Sequence, residues 1–149
     1  MYFRGKYGFL SNFHEVAIPF EYNGHSFTMP TSENAFQAMK VHASLASEEE
    51  NLNWLKRVSK ADAAGSKALG RQLEIDLDLW HSISQDKMEE VLLVKFAPGS
   101  ELAQKLVATG DEELVEDNDH KDTLWGRYNG EGMNLLGKIL MQVRDTLTL

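Results

Sequence analysis

The chain has 149 residues, 42% hydrophobic and 26% charged, a length and balance suited to one globular domain, residues 1–149, with a sizeable core. A formal net charge of −8 argues against unspecific binding to duplex nucleic acid, and the lack of cysteine excludes disulfides, thiol nucleophiles and thiolate metal sites. No apolar run approaches the roughly 20 residues that span a bilayer, and the first ten residues lack a secretory h-region, so a cytoplasmic chain without membrane contact is expected.

Residues 1 to about 29 predict short strands and turns, rich in Tyr and Phe and broken by Gly5, Gly8 and Pro19, with Asn23-Gly24 as a hairpin signal. Helical signatures dominate from residue 31. Pro30, Thr31 and Ser32 suit a helix start, after which Glu33, Phe36, Gln37 and Lys40 share one arc opposite Ala35, Ala38, Met39 and Ala43. Taken alone, that stripe reads first as a solvated polar face. Ser47 and Glu50 form a capping box for a helix through Trp54 and Leu55, and another helix is expected from about Lys60 to Leu73.

Ser84 predicts the start of the next helix, where Met88, Val91, Leu92 and Phe96 repeat at core-facing spacing until Pro98-Gly99. Ser100 opens a short helix that stops at Gly110. Leu114-Val115 suggests a brief strand, residues 126 to 132 a glycine-rich loop, and Leu136, Ile139, Leu140, Val143 and Leu147 one face of a last helix. The expected fold class is α+β, a predominantly helical single domain with a small N-terminal antiparallel β element.

Familiar catalytic motifs are missing. Five histidines never take metal-binding spacing, Asp117 to Lys121 fails as a calcium loop, and Gly130-Glu131-Gly132 lacks the third glycine of a dinucleotide fingerprint. No metal and no cofactor are expected. Carboxylates, lysines and aromatics remain. Asp122-Thr123-Leu124-Trp125-Gly126 joins an acid to a tryptophan that either plugs the core or stacks on a planar ligand, and Trp80 invites the same two readings. Arg71 either complements a helix C-terminus or forks onto a phosphate with Lys67. Phe9-Leu10-Ser11-Asn12-Phe13 reads as a turn or as a base-reading edge.

Taken together, the run from Gly24 to Lys40, G-x-x-F-x-M-P-T-S-E-N-A-F-Q-A-M-K, resembles the signature of the NADAR (YbiA-like) family. F-L-S-N-F, A-L-G-R (Ala68 to Arg71), D-K-M-E-E-V-L-L-V-K-F (Asp86 to Phe96), L-V-A-T-G-D-E-E-L-V-E, D-T-L-W-G and G-M-N-L-L-G-K-I-L-M-Q-V-R resemble its further motifs in order. The resemblance covers about residues 7 to 147 and implies a YbiA-like fold and N-glycosidase chemistry on ribose-linked substrates. These are phosphoribosylamino-pyrimidine intermediates of riboflavin synthesis, or ADP-ribosylated guanine in nucleic acid. Asn34 stands where a histidine is usual and Met133 where a lysine is, departures that bear on substrate identity.

Glu33 then becomes the candidate carboxylate beneath the ribosyl C1′, with Asp122 orienting hydroxyls or protonating the leaving base. Lys40 is the first candidate for trapping the opened ribose as a Schiff base, ahead of Lys87 and Lys95. Ser11, Asn12, Phe13, Arg71, Trp80, Trp125, Gly126 and Asn134 are the candidate substrate-binding residues. The expected partner is a nucleotide or ADP-ribose-containing substrate. The alternative reading is a non-catalytic binding module for ADP-ribose or NAD-derived ligands, and a helical adaptor is a third.

Overall fold

The computed structural model describes residues 1–149. The fold is α+β, mostly helical, with a two-stranded antiparallel sheet near the N-terminus. Contacts gather into two compact units: residues 12–87, and residues 1–11 together with 88–149.

The 12–87 unit opens on a hairpin, β1 (Glu15–Tyr22) paired with β2 (His25–Thr31). Asn23 and Gly24 turn it with φ of 47° and 81°, the left-handed conformation that an Asn-Gly pair adopts at little strain. Ile18 lies opposite Met29 and Phe20 opposite Phe27, so alternation sends one apolar face inward. Three helices follow: α1 (Ser32–Ala38), α2 (Glu48–Lys60) and α3 (Ala63–Gly70). Ser47 and Asp62 cap the last two, accepting from the Glu50 and Gly65 amides. Because Asp62 starts a new helix, the expected segment from Lys60 to Leu73 is cut short at both ends. The Trp54 indole donates to the Leu69 carbonyl at 2.9 Å, tying α2 to α3.

Helix α4 (Leu77–Lys95) crosses the boundary between the units. It starts seven residues before Ser84, because Asp76 caps it first by accepting from the Leu79 amide at 3.1 Å. The other unit then adds α5 (Glu101–Ala108), capped by Ser100, and α6 (Leu135–Leu147). Met88, Val91, Leu92 and Phe96 are all buried, as their spacing predicts, alongside Leu106, Leu136 and Leu140.

Two expectations fail in this unit. Gly5–Leu10 is a 3-10 helix rather than a strand, entered through Gly5 at a φ of 60° and burying Phe9 and Leu10. Leu114-Val115 is no strand either, because the Asn134 amide captures this backbone: its Nδ2 donates to the Leu114 carbonyl and its Oδ1 accepts from the Glu116 amide, both at 2.9 Å. Pairing falls instead on two short parallel strands, β3 (Asp117–Asn118) and β4 (Arg127–Tyr128).

Candidate functional site

Helix α1 is not a surface helix. Every residue from Thr31 to Ala38 is buried, and the stripe that would ordinarily face water is inside, with Glu33 8% and Gln37 6% exposed. Thr31 caps the helix by accepting from the Asn34 amide at 3.1 Å. Asn34 then donates from Nδ2 to the Val58 and Ala61 carbonyls at the end of α2, at 2.8 and 2.9 Å. The residue in place of the family histidine therefore carries scaffold, clipping α1 to α2. Asn12 holds the same end from the other direction. Its carbonyl accepts the Glu33 amide at 2.9 Å, and its side-chain oxygen accepts the Ser32 hydroxyl at 2.9 Å. Asn12 thus fixes the Glu33 backbone at the start of α1.

Along the stripe, Gln37 Nε2 donates to Glu33 Oε2 at 2.9 Å. One turn on, Lys40 Nζ donates to the Gly70 carbonyl at 3.3 Å and lies 5.9 Å from the centre of the Trp80 ring. Burial pushes the Lys40 amine below its ordinary pKa; nearby Glu33 opposes that shift and Arg71 adds to it. Trp80 is buried in α4, where its ring packs 5.3 Å from Phe36. It is both a core plug and the wall beside Lys40. Arg71 follows α3 and is exposed. Phe13 is 47% exposed, with Lys67 Nζ 5.9 Å above its ring.

The 12–87 unit thus brings together Glu33, Lys40, Trp80, Asn12 and Arg71. The sequence also shows Gln37 on the stripe but gives it no role, and Gly70 stands out there only within A-L-G-R. A β-carbon at position 70 would strike Gln37 Oε1 and stand 3.0 Å from Lys40 Nζ, so only glycine lets α3 approach α1 this closely.

In the other unit, the Asp122 loop is organised around a residue the sequence did not single out. Asn118 Nδ2 donates to the Asp122 and Arg127 carbonyls at 2.8 and 3.1 Å, while Oδ1 accepts from the His120 and Asp122 amides at 3.2 and 3.0 Å. Asp122 Oδ1 accepts from the Leu124 and Trp125 amides, both at 3.0 Å, a local turn that presents the half-buried Trp125 ring. Gly126 is buried, and a β-carbon there would run into the Glu116 carbonyl. Asn134 is buried in its left-handed conformation, with its amide engaged by residues 114 and 116. Gly126 and Asn134 therefore shape the loop's backbone. Ser11 accepts at its carbonyl from Lys95 Nζ at 2.8 Å. Lys95 is 3% exposed, and burial pushes its amine down to about 7. Lys87, the other alternative amine, is half-buried on α4. No group of three or more His, Asp or Glu side chains is disposed to hold a metal ion, and no helix is long and apolar enough to cross a membrane.

Comparison with known proteins adds a second line. The sequence model of the NADAR domain matches residues 2–148. The N-glycosidase YbiA of Escherichia coli (strain K12) is 35% identical over 144 residues, covering 96% of this chain and 83% of that protein. A riboflavin biosynthesis protein of Vibrio vulnificus (strain YJ016) is also 35% identical over 144 residues; the match covers 95% of this chain but only 36% of that longer protein. The chloroplastic riboflavin biosynthesis protein PYRR of Zea mays is 33% identical over 148 residues, 95% of this chain and 23% of that one. Among solved structures, the NMR structure of the E. coli protein YbiA is similar with a TM-score of 0.76 at 30% identity, covering 99% of this chain and 84% of that one.

Proposed function

This chain belongs to the NADAR domain family and is a hydrolase acting on N-glycosyl bonds; from that premise we propose that it cleaves the ribosyl C1′–N bond of a nucleotide, either ADP-ribosylated guanine or a phosphoribosylamino-pyrimidine of riboflavin synthesis. The observation that carries this reading is the buried Glu33 carboxylate, held from its backbone by Asn12 and from its side chain by Gln37. The riboflavin names of two relatives support the second substrate.

Breaking the bond builds positive charge on C1′ and the ring oxygen. A fixed carboxylate in a water-poor site stabilises that charge without reorganising. Glu33 supplies it, or activates the attacking water. Trp80 walls the sugar beside Lys40. Arg71 meets a phosphate, and Phe13 borders the substrate.

Burial of Lys40 favours a covalent variant of the same reaction. A neutral Nζ bonds to C1′ as the C1′–N bond breaks and the base takes a proton. Ring opening gives an imine, which water hydrolyses to free the sugar and restore the amine. The lowered pKa makes that nucleophile available nearer neutrality, so this route accelerates as pH rises through it.

The test is incubation with ADP-ribosylated guanosine and, separately, with a phosphoribosylamino-pyrimidine. Release of free base from either, lost in Glu33→Gln, supports the reading. Tight binding without turnover would instead leave a binding module for ADP-ribose or NAD-derived ligands. Borohydride added during turnover tells the routes apart: a trapped adduct at Lys40 supports the imine, and none leaves direct water attack.

A further inference from the structure

Gln37 Oε1 is a buried side-chain oxygen with no hydrogen-bond partner. Buried polar atoms are nearly always paired, so an orphan acceptor inside a polar cluster calls for a reason. The other end of the same amide is engaged, Nε2 donating to Glu33 Oε2 at 2.9 Å. Exchanging the two ends would set the amide oxygen against an ionised carboxylate, acceptor against acceptor, so Glu33 dictates which way the amide points. Its oxygen is thereby aimed at Gly70, against which Lys40 Nζ also lies. Lys40 as an ammonium has three N–H groups, and one of them makes the 3.3 Å bond to the Gly70 carbonyl. An acceptor lacking a donor and a cation with donors in excess thus share one glycine.

We propose that Gln37 is a positioning residue that bridges Glu33 and Lys40, donating to the carboxylate and accepting from the amine after a small rotation of the lysine side chain. The proposal rests on the N-glycosidase reading of this site. Interposing the amide keeps the two charged groups from collapsing into a direct ion pair, which would neutralise both. Glu33 keeps its hydrogen bond from Gln37, and Lys40 is held beside the other end of the same amide. Glu33 and Arg71 are the charged groups acting on Lys40, the first favouring its ammonium and the second opposing it. Gln37 adds a neutral acceptor on the favouring side. Gly70 completes the arrangement, since any side chain there would displace the amide oxygen.

Two variants test the bridge. Gln37→Met conserves volume and removes both hydrogen bonds; Gln37→Glu retains an acceptor toward Lys40 but loses the donor to Glu33. With the bridge, Gln37→Met lowers kcat by roughly 100-fold, the scale expected for a misplaced reacting group, while KM changes little. Lys40 is followed independently of turnover by NMR titration of protein labelled with 15N at lysine Nζ. Its titration moves to lower pH in Gln37→Met, which loses an acceptor, and to higher pH in Gln37→Glu, which gains a negative charge. Shifts of opposite sign with a fallen kcat support the bridge, because a residue that only filled space would not produce them. An unmoved Lys40 titration in both variants overturns it, as does a wild-type kcat in Gln37→Met. If the wild-type protein cleaves neither nucleotide, the N-glycosidase reading fails by itself, and the titrations still decide whether Gln37 bridges the pair.

Discussion

Helix α1 and the loop from Asp117 to Asn134 are both crowded with polar side chains, yet they use them in opposite ways. In the loop, Asn118 and Asn134 give their amides to backbone groups, and Asp122 gives one oxygen to two backbone amides. Along the inner stripe of α1, Glu33 meets the side chain of Gln37, and Gln37 retains an unpaired oxygen. Side chains that satisfy backbone build a scaffold, and their loss is felt as instability. Buried side chains that answer chiefly to one another hold charge in a chosen place, and their loss is felt in rate.

The largest expected effect is at Glu33. Glu33→Gln removes the carboxylate but keeps an acceptor for Gln37 Nε2, so kcat should fall by about 1000-fold in a protein that still melts cooperatively. Rates and thermal melts of the same preparation check this; a variant that unfolds while losing activity would place α1 with the loop as scaffold. Asn118→Ala should behave the other way. Four backbone partners lose their bonds, and a stability loss of about 3 kcal/mol in urea denaturation is expected. A much smaller loss would mean that the loop holds its shape without this amide.

Two lysines, one half-buried and one buried, extend the contrast to a weaker effect. Lys40 belongs to the α1 cluster, and its depressed amine bears on rate. Lys95 donates to the Ser11 backbone, and its depressed amine bears on stability. Burial lowers Lys95 from 10.5 to about 7, so between those values the unfolded chain binds more protons than the folded one. Stability therefore rises with pH across that window and is lost as pH falls back toward 7. Lys95→Met should flatten the rise in melting temperature between pH 7 and pH 10. An unchanged slope would assign the rise to other groups.

Much of this architecture is legible in local pattern. The Asn23-Gly24 turn needs only residues that tolerate positive φ, and the Ser47 and Ser100 caps need only a hydroxyl ahead of free amides. The apolar repeat from Met88 to Phe96 reports its own burial. Local pattern misleads where another group claims the backbone first. Asp76 preempted Ser84 as the start of α4, and Asn134 took the backbone at Leu114 and Glu116 that pattern alone would assign to a strand. Among the candidate site residues, Glu33, Lys40 and Asp122 were visible through the motifs that carry them. Asn118 is not, and the packing role of Gly70 within A-L-G-R is not, since a hub amide and a close approach have no local signature.

The stripe of α1 marks the limit most clearly. Helical spacing alone put Glu33, Gln37 and Lys40 on one arc, because that depends on rotation per residue and nothing else. Whether the arc faced water depended on what packed over it, and only tertiary structure decided that. The β1–β2 hairpin, α2 and α3 pack around α1, Asn12 closes its start, and Gly70 admits α3 closely enough to seat the Gln37 oxygen and the Lys40 amine together. Periodicity determines which side chains are neighbours on a helix. Burial, which lowers the dielectric and depresses the Lys40 amine, comes from residues far away in sequence.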